Sequence, residues 1–563
     1  MTPIAAIEAA IAADRAYADK ALWLTRVPDA ALRAQAAALE AEGPRGRALW
    51  GVPVAIKDNI DVAGLPTTAA CPGYAYIPQR HATAVQRLVD AGAIVMGKTN
   101  LDQFATGLVG VRSPYGTPRN VFDAARVPGG SSSGSAVAVA AGIVPVALGT
   151  DTAGSGRVPA SFGNIVGLKP TVGSVSATGM VPACRSVDTI SVFARSVDTA
   201  LAVQRVLAAE DAADPYSRAA PYPFLRRAAL PASARIATIA VDGPMAEPYA
   251  RAAALFGGAQ VDIAQFLAVA RLLYDGPWVA ERTAALRDVV EQRSEILHPV
   301  TRAILERGFE RKTVDAFDAF HLLAQARRTA ATLFRQYDAL LLPTTQPCPT
   351  LAEVEADPIG VNARLGTWTN FVNLCDLAAI AVPAGMGADG LPFGVTLVGT
   401  AWSEGRLAAL ADHVHRALNT TAGAGGAIPH AALPDALAAD ETALFCIGGH
   451  MAGLGLNHQV TALGGRFVRE DRTLPLYRLH ALGARPGMLR AADGAAIAGE
   501  VWALPTAAIG ALLAQVPPPL GFGTVELQSG PCLGFLAEAA GVAGAPDITA
   551  LGGWRAWLAQ KPG

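Results

Sequence analysis

Short apolar segments separated by glycine and proline begin at Gly51 and constrain the fold more than any other feature. VPVAI (52–56), AIVMG (93–97) and IVPVALG (143–149) each have the length of a buried strand. TAVQRLVDAG (83–92), between the first two, has helical spacing. Buried strands that alternate with helices predict an α/β layer fold.

Helical segments lie on both sides of this region. Residues 1–50 alternate Ala and Leu with charged residues and predict one or two helices, and residues 262–340 are strongly helical. YDALLLP (337–343) then predicts a further buried strand. AIAVPAG (379–385) and FGVTLVG (393–399), separated by a Gly-rich turn, predict a hairpin.

The charge balance excludes two classes of partner. Lys and Arg number 45 against 47 Asp and Glu, a net charge of -2 over 563 residues. Without an excess of positive charge the chain lacks the field that attracts nucleic acid or an anionic membrane. Hydrophobic residues make up 52% of the chain, which excludes intrinsic disorder.

An uncharged run from Val127 to Thr150 is long enough to span a bilayer. It contains Pro128, Pro145 and several Gly, Ser and Thr residues, which a lipid-exposed helix tolerates poorly. We therefore expect buried core and no membrane partner. The N-terminal segment MTPIAAIEAAIAADRAYADK carries charges within its apolar pattern, so we expect an amphipathic helix and not a signal peptide.

The six cysteines are far apart in the sequence, at positions 71, 184, 348, 375, 446 and 532. No C-x-x-C pair occurs among them. In a chain of this size, that distribution predicts reduced, mostly buried thiols and a cytoplasmic location.

A change of composition predicts two domains. TTAGAGGAIPHAALPD, which ends at Asp435, is rich in Gly, Ala and Pro. We take residues 421–435 as a linker between a domain of residues 1–420 and a second of residues 436–563. In the second domain ALFCIGG, RFVRED, YRLHAL and GEVWALP have the pattern of strands and predict a small α/β domain.

Two loops rich in glycine and serine carry the candidate chemistry. PGGSSSGSAVAVAAG (128–142) leads into a helix of Ala and Val, and TDTAGSGRVPAS (150–161) follows a buried strand. A helix N-terminus and a loop of small residues both expose backbone N–H groups, which can stabilise an anion or a developing oxyanion. Such loops can place a serine hydroxyl beside an oxyanion hole.

On the residues alone, other interpretations stay open. A Ser/Gly run is most often a flexible loop, and a phosphate cradle needs a G-x-x-x-x-G-K-[ST] pattern, which is absent. Gly130–Gly134 fits the G-x-S-x-G elbow of α/β-hydrolases. An elbow serine follows a strand, however, whereas Arg-Val-Pro-Gly precedes this loop, and the histidines of the first domain lie in helical or unremarkable segments.

Because no histidine is placed to act as a base, lysine is the alternative. Lys57 directly follows an apolar strand in GVPVAIKDN, where burial would lower its pKa. Lys98 in GKTN has a similar strand before it. A single lysine after a strand is usually solvated or ion-paired, so the residues alone do not choose between the two.

Taken together, GVPVAIKDN, GKTN, PGGSSSGS, TDTAGSGRVPAS and GLKPT, over residues 51–171, resemble the amidase signature family. The resemblance implies a central mixed β-sheet covered by helices and a Ser-Ser-Lys triad: Ser155 as nucleophile, Ser131 as bridging serine and Lys57 as base. It also implies a cis Gly130–Ser131 peptide bond and a structural role for Lys98. The implied oxyanion hole consists of the backbone amides of Thr152, Ala153, Gly154 and Ser155. No metal or other cofactor is expected.

LLYDGPWVAER (272–282) is similar to a segment of the allophanate hydrolases within this family. The similarity implies that Tyr274 and Arg282 bind the carboxylate of the substrate, for which an Arg fork is suited. Ser132 is a further substrate-binding candidate. Arg157, two residues after the nucleophile, either binds the anion or supports the loop.

The C-terminal segments GGHMAGLGLNHQ, GGRFVRE, RPGM, GEVWALP and PPLGFGTVEL also resemble the allophanate hydrolases. That tail is related to γ-glutamylcyclotransferase-like folds. Where the cyclotransferases carry an acidic residue, LLAQVPPPLG (512–521) has none, so we expect no cyclotransferase activity. His450 and Glu500 are candidates for a tail pocket that handles the first product, and an assembly role is slightly favoured because no complete catalytic set is present.

The resemblance implies hydrolysis of the small molecule allophanate to ammonia and carbon dioxide through N-carboxycarbamate, in urea or triazine degradation. A homodimer is expected, with urea carboxylase or other amidases of the pathway as functional partners. The alternatives are another small carboxylated-amide hydrolase such as a malonamidase, one component of a tRNA amidotransferase, or a silent scaffold. The attached tail argues against the amidotransferase component, and the intact Ser155, Ser131 and Lys57 argue against the scaffold.

Overall fold

A computed structural model describes residues 1–419, 421–429 and 432–561. The chain divides into two compact units: residues 1–220, 237–331 and 339–431 form the first, and residues 221–236, 332–338 and 432–563 the second. The predicted boundaries at 420 and 436 stay a prediction, and residues 420, 430 and 431 at the predicted linker lie outside the described residues. The predicted α/β class is confirmed for both units.

Within the described residues, eleven strands form one mixed sheet in the order β1-β3-β2-β4-β6-β5-β10-β11-β9-β7-β8. The strands are β1 Trp23–Arg26, β2 Pro53–Lys57, β3 Ile94–Thr99, β4 Val146–Asp151, β5 Val166–Lys169, β6 Thr189–Ala194, β7 Ile236–Thr238, β8 Ala259–Gln260, β9 Ala339–Pro343, β10 Leu377–Met386 and β11 Pro392–Thr400. Strand β2 is parallel to both β3 and β4, whereas β10 and β11 form the predicted antiparallel hairpin.

The helices of this part of the chain are α1 Pro3–Tyr17, α2 Asp29–Glu42, α3 Thr83–Asp90, α4 Ser133–Ala140, α5 Val158–Phe162, α6 Val197–Leu207, α7 Ala246–Ala254, α8 Ala264–Arg271, α9 Trp278–Ala285, α10 Arg287–Gln292, α11 Pro299–Glu306, α12 Thr313–Gln336, α13 Leu351–Ala356, α14 Gly360–Leu365, α15 Asn370–Leu374 and α16 Glu404–Leu418. One hydrophobic cluster joins α1, α2 and α4 to β2, β3 and β4. Among the described residues, no helix has both the length and the apolar composition needed to cross a membrane.

Helix α4 lies entirely within the core, as predicted for the uncharged run. All eight of its residues are buried. A Cβ on Gly134 would lie 2.7 Å from Asn100 N and 2.8 Å from Leu22 O, so this turn of the helix packs directly against backbone. Small residues are therefore a steric requirement of α4, and its close packing fixes the loop of residues 129–132 that precedes it.

In the second unit five strands form a sheet in the order β13-β16-β12-β18-β17, and β14 pairs with β15. The elements are β12 Glu441–Cys446, α17 Asn457–Ala462, β13 Arg466–Arg472, β14 Tyr477–Leu482, β15 Arg485–Arg490, β16 Ala498–Pro505, α18 Ile509–Leu513, β17 Leu520–Leu527, β18 Gly530–Ala537 and α19 Trp554–Leu558. Residues 221–236 belong here because, for example, Ala229 N donates to Phe467 O at 3.0 Å and Arg227 N to Asp435 Oδ2 at 2.7 Å.

The cysteine prediction is confirmed for the thiols: all six are free and buried. Burial raises the pKa of the Cys348 thiol to about 12 and that of Cys532 to about 11. These thiols are therefore poor nucleophiles near neutral pH, and none of them competes with serine for a catalytic role.

Candidate functional site

The candidate site lies where two parallel strands end. Lys57 is the last residue of β2, and Thr150 and Asp151 are the last two of β4. The strands are paired in parallel with Ile56 opposite Leu148, so their carboxyl ends meet at one edge of the sheet. Such an edge is where open α/β sheets bind their ligands.

Lys57 is fully buried and its amine contacts two hydroxyl groups. Nζ lies 2.8 Å from Ser131 Oγ and 2.7 Å from Thr150 Oγ1. Burial lowers the pKa of Lys57 to about 7, although the carboxylates of Asp102, Asp188 and Asp151 act to raise it. Near neutral pH a large fraction of the amine is therefore uncharged and able to accept a proton.

Lys98, the other lysine considered from the sequence, has a carboxylate partner. Its Nζ lies 3.0 Å from Asp58 Oδ1, and both side chains are fully buried. It also donates to Thr67 Oγ1 at 3.0 Å and Pro66 O at 3.2 Å. A lysine held in this way serves the structure, in agreement with the role that the resemblance implies.

Ser155 follows β4 in the loop that connects it to α5. Its side chain is 2% exposed, and its hydroxyl donates to Gly107 O at 3.5 Å, which is a weak hydrogen bond. In the described part of the chain no hydrogen bond joins Ser155 to Ser131. The peptide bond between Gly130 and Ser131 is cis, as the resemblance implies.

The four amides predicted for the oxyanion hole are not equivalent. Gly154 N donates to Asp151 Oδ1 at 3.0 Å, so this amide already has a partner within the protein. Among the described residues, the amides of Ala153 and Ser155 have no hydrogen-bond partner. Thr152 is held through its hydroxyl, which donates to Asp188.

The substrate-binding role predicted for Arg157 is not supported, because its guanidinium serves the loop. Nε and Nη2 each lie 2.9 Å from one oxygen of Asp151, and Nη2 also donates to Thr369 O and Asn373 Oδ1. Burial alone would raise the pKa of Asp151, but the Arg157 charge holds it below its usual value. Of the two roles predicted for Arg157, the contacts favour support of the nucleophile loop.

Ser132, a substrate-binding candidate from the sequence, also has backbone partners in the structure. Its hydroxyl donates to Thr150 O at 3.1 Å and accepts from Thr150 N at 3.2 Å. The side chain is fully buried against β4 and its one donor is taken by Thr150, so the substrate-binding role of Ser132 stays a prediction.

Tyr274 and Arg282 are brought together, as predicted. The guanidinium carbon of Arg282 lies 5.0 Å from the Tyr274 ring centroid, and Nη1 contacts Ala105 O at 3.4 Å and Thr106 Oγ1 at 3.2 Å. Tyr274 Oη and Arg282 Nε and Nη2 are buried and have no hydrogen-bond partner among the described residues. Buried donors are normally satisfied, so these unpaired donors are available to a ligand with acceptor oxygens.

In the second unit the two candidates differ. Both oxygens of Glu500 are satisfied: Ala452 N and Trp502 Nε1 donate to one, and Arg555 Nη2 donates to the other at 2.5 Å. Glu500 lines a cavity of about 560 Å³. His450 is not among the residues lining this cavity; its Nε2 lies 2.9 Å from Gln459 Oε1 and its ring stacks on Phe535.

The sequence prediction missed the acceptor groups around the triad. Thr150 is the second partner of Lys57, Gly107 provides the acceptor for Ser155, and Asp188 holds Thr152. The position of Thr150 next to Asp151 at the end of a predicted strand was a usable signal. Gly107 and Asp188 lie in segments with no pattern that indicates a site.

Comparison with known proteins places these residues in a family. The family described as Amidase matches residues 5–408. This chain belongs to the amidase family. A second family, described as Allophanate hydrolase C-terminal domain, matches residues 442–559 of this amidase.

Relatives agree with both assignments. The amidase is 41% identical over 548 residues to the urea amidolyase of Saccharomyces cerevisiae, covering 91% of this chain and 30% of that protein. The solved structure of Kluyveromyces lactis allophanate hydrolase is 39% identical, with a TM-score of 0.76 over 99% of this chain and 97% of that one. The urea amidolyase of Lachancea kluyveri is 40% identical over 570 residues, covering 95% of this chain and 31% of that protein. The amidase thus spans about a third of the length of the urea amidolyases.

We expect Asp151→Asn to destabilise the amidase strongly, because it leaves the buried Arg157 charge without its partner. Breaking a buried ion pair from one side costs about 3–5 kcal/mol, measurable by urea denaturation. Asp376→Asn is the matched control, since the Arg218–Asp376 pair is partly exposed, at 37% and 34% of the side chains, and such pairs contribute about 0–1 kcal/mol. Equal losses in the two variants would contradict a supporting role for Arg157.

Proposed function

We propose that this amidase hydrolyses allophanate by a Ser-Ser-Lys mechanism and releases ammonia and carbon dioxide through N-carboxycarbamate. The observation that carries the proposal is the unpaired, buried edge of Arg282, formed by Nε and Nη2, beside the unpaired hydroxyl of Tyr274. That edge of a guanidinium binds a carboxylate through two parallel hydrogen bonds. The names of the urea amidolyase and allophanate hydrolase relatives support the same substrate.

Recognition and reaction are connected by one short segment. Arg282 contacts Ala105 and Thr106, and the next residue, Gly107, provides the acceptor for the Ser155 hydroxyl. An allophanate carboxylate held by Arg282 would therefore place its scissile amide near the nucleophile. Holding reacting groups in this way removes much of the entropic part of the barrier.

In the proposed mechanism neutral Lys57 accepts a proton from Ser131, and Ser131 in turn takes one from Ser155. The Ser155 oxygen attacks the amide carbonyl, which requires that its weak hydrogen bond to Gly107 be released. The amides of Ala153 and Ser155, with that of Thr152, would stabilise the oxyanion. Ser131 then returns a proton to the departing ammonia, and water hydrolyses the acyl-enzyme.

The runner-up is another hydrolase of small carboxylated amides, such as a malonamidase. The same Arg282 edge would bind malonamate, so the carboxylate site does not separate the two. The match of residues 442–559 to the allophanate hydrolase C-terminal domain favours allophanate. Ammonia release measured with allophanate, malonamate, biuret, urea and a fatty amide tests the choice directly.

We also propose a cytoplasmic homodimer that works with urea carboxylase or other amidases of the same pathway. Support for the dimer comes from a stripe of apolar side chains on α12 and just before it. The stripe consists of Phe309, Val314, Phe317 and Phe320, which are 49–63% exposed. Single exposed apolar residues are normal, but a group of them marks a surface for protein contact. The partial match to a urea amidolyase supports the functional link to urea carboxylation.

The first prediction from the proposed function concerns the triad. Ser155→Ala, Ser131→Ala and Lys57→Met should each lower kcat by roughly 10⁴-fold or more, and the triple variant should lose little beyond that, because the three act as one unit. Lys57→Arg should also lose its turnover, since a guanidinium stays protonated and cannot accept a proton. Ser133→Ala, at the first residue of α4, is the control and should keep its turnover. Ser155→Ala with near-normal turnover would overturn the assignment.

The wild-type pH profile tests the base. Because Lys57 must be neutral to accept a proton and its pKa is lowered to about 7, kcat/KM should fall as pH drops below about 7.

The second prediction compares allophanate with biuret, its neutral analogue. Arg282→Ala removes the charged partner of the carboxylate, so kcat/KM for allophanate should fall by roughly ten- to a hundred-fold while biuret changes little. Tyr274→Phe, which keeps the ring beside Arg282 and loses the unpaired hydroxyl, should have a smaller effect in the same direction. Equal losses on both substrates would indicate a structural role for Arg282.

A second candidate function, processing of the first product by the C-terminal unit, is favoured by the state of His450. Its Nε2 is fixed by Gln459, and among the described residues its Nδ1 has no partner. Burial lowers the pKa of His450, which favours the neutral ring, and in the neutral ring Nδ1 can accept a proton. Glu500, by contrast, is fully hydrogen-bonded.

The third prediction follows from this difference. His450→Ala should release the first ammonia normally and accumulate N-carboxycarbamate, detected by rapid trapping at alkaline pH. His458→Ala, a half-buried histidine of the same unit, is the control. Unchanged products with an altered size in solution would favour the assembly role instead. Full-length variants are used because truncation near 420 would remove the partners of residues 221–236.

A further inference from the structure

Asp102 is a buried carboxylate with no ion-pair partner among the described residues. It follows β3 and is fully buried. Two backbone amides donate to it, Gly110 N to Oδ2 and Arg112 N to Oδ1, both at 2.9 Å. The carboxylate therefore closes the loop of residues 102–112 on itself.

The same residue contacts the bridging serine. Asp102 N donates to Ser131 O at 3.0 Å, next to the cis bond. A Cβ added to Gly130 would lie 2.1 Å from Asp102 Oδ2, so the carboxylate packs directly on the Gly130 backbone. Gly130 N in turn donates to Leu108 O at 2.8 Å. Asp102 thus connects the loop of residues 129–132 to the loop of residues 102–112.

Asp102 also contacts the segment that holds the nucleophile. A Cβ on Gly107 would lie 2.5 Å from Asp102 Oδ2, and Gly107 O is the acceptor of the Ser155 hydroxyl. Just before Gly107, Phe104 and Ala105 have φ of 51° and 53°, in the left-handed region that is unfavourable for side-chain-bearing residues. Such a backbone persists only where surrounding contacts hold it.

We propose that Asp102 is a positioning residue, whose carboxylate fixes the Ser131 backbone and the Gly107 carbonyl relative to each other and so aligns the bridging serine with the nucleophile. The inference rests on the triad of the proposed function. Asp102 is not a member of the triad and acts through Ser131 and Gly107. The charge of Asp102 also acts on Lys57, whose pKa it raises.

Other charged and titratable groups surround Asp102 and Lys57. Asp151, Asp188 and Arg282 act on Lys57 together with Asp102. Arg112, Tyr274 and His298 interact electrostatically with Asp102. Since the other groups are unchanged in a variant at position 102, a shift of the pH profile reports the loss of this one charge.

The test is Asp102→Asn in the full-length chain. Asparagine keeps the size and the backbone contact to Ser131, but its NH₂ group cannot accept from an amide, so one of the two loop bonds is lost. We expect kcat to fall roughly ten- to a hundred-fold on allophanate and biuret alike, with KM for allophanate nearly unchanged. Loss of the negative charge lowers the pKa of Lys57 further. The acid limb of the pH profile, where kcat/KM falls as Lys57 is protonated, should therefore move to lower pH by roughly one unit.

Asp214→Asn is the matched control. Asp214 is 8% exposed and likewise accepts two backbone amides, Ala177 N at 2.7 Å and Tyr216 N at 2.9 Å. It should lose similar stability in denaturation and keep the kcat and the acid limb of the wild type. Asp102→Glu is the second variant and tests the positioning role if the asparagine variant does not fold. Glutamate keeps the charge but displaces the loop. We therefore expect kcat to fall while the acid limb of the pH profile stays in place.

The outcomes separate this inference from the proposed function. If Ser155→Ala is inactive while folded variants at Asp102 keep the kcat and limb of the wild type, the positioning role is overturned and the triad stands. A lower kcat that the Asp214 control reproduces would also overturn it. If Ser155→Ala is active, the triad itself fails.

Discussion

The amine of Lys57 is removed from water at the point where β2 and β4 end, and the chemistry of the site follows from that removal. Burial makes the charged form unfavourable and lowers the pKa to about 7. The surrounding carboxylates limit this effect, so the amine is neither permanently charged nor too weak a base. A parallel strand pair is suited to the task because it delivers Lys57 and Thr150 to one edge without exposing either.

Much of this arrangement is local in the sequence and could be predicted from it. Strands β2 and β3, helix α3 and the β10–β11 hairpin have apolar patterns that the structure reproduces within a few residues. The start of β4 was predicted three residues early, because Ile143 and Val144 are buried without belonging to a strand. β1 was missed because its four half-exposed residues form an edge strand with no alternation.

The site differs from the sequence-based picture for one physical reason. A sequence pattern identifies side chains able to bind substrate but not the partners that already occupy them. The sequence left two roles open for Arg157, and in the structure Asp151 binds its guanidinium while also accepting from the Gly154 amide. Tyr274 and Arg282 have few protein partners, and their carboxylate-binding role stays a prediction. The partner that occupies Arg157 and Gly154 is close to them in the sequence, but spacing alone does not show which side chains turn towards each other.

The unpaired edge of Arg282 has a consequence for the resting protein. A buried guanidinium with unsatisfied donors lowers the stability of the unliganded fold, since desolvation of its charge is not offset by hydrogen bonds. Any small carboxylate that fits the edge restores those bonds and shifts the folding equilibrium by mass action. The unpaired edge proposed to bind substrate is thus also a place where the unliganded fold is less stable than it could be.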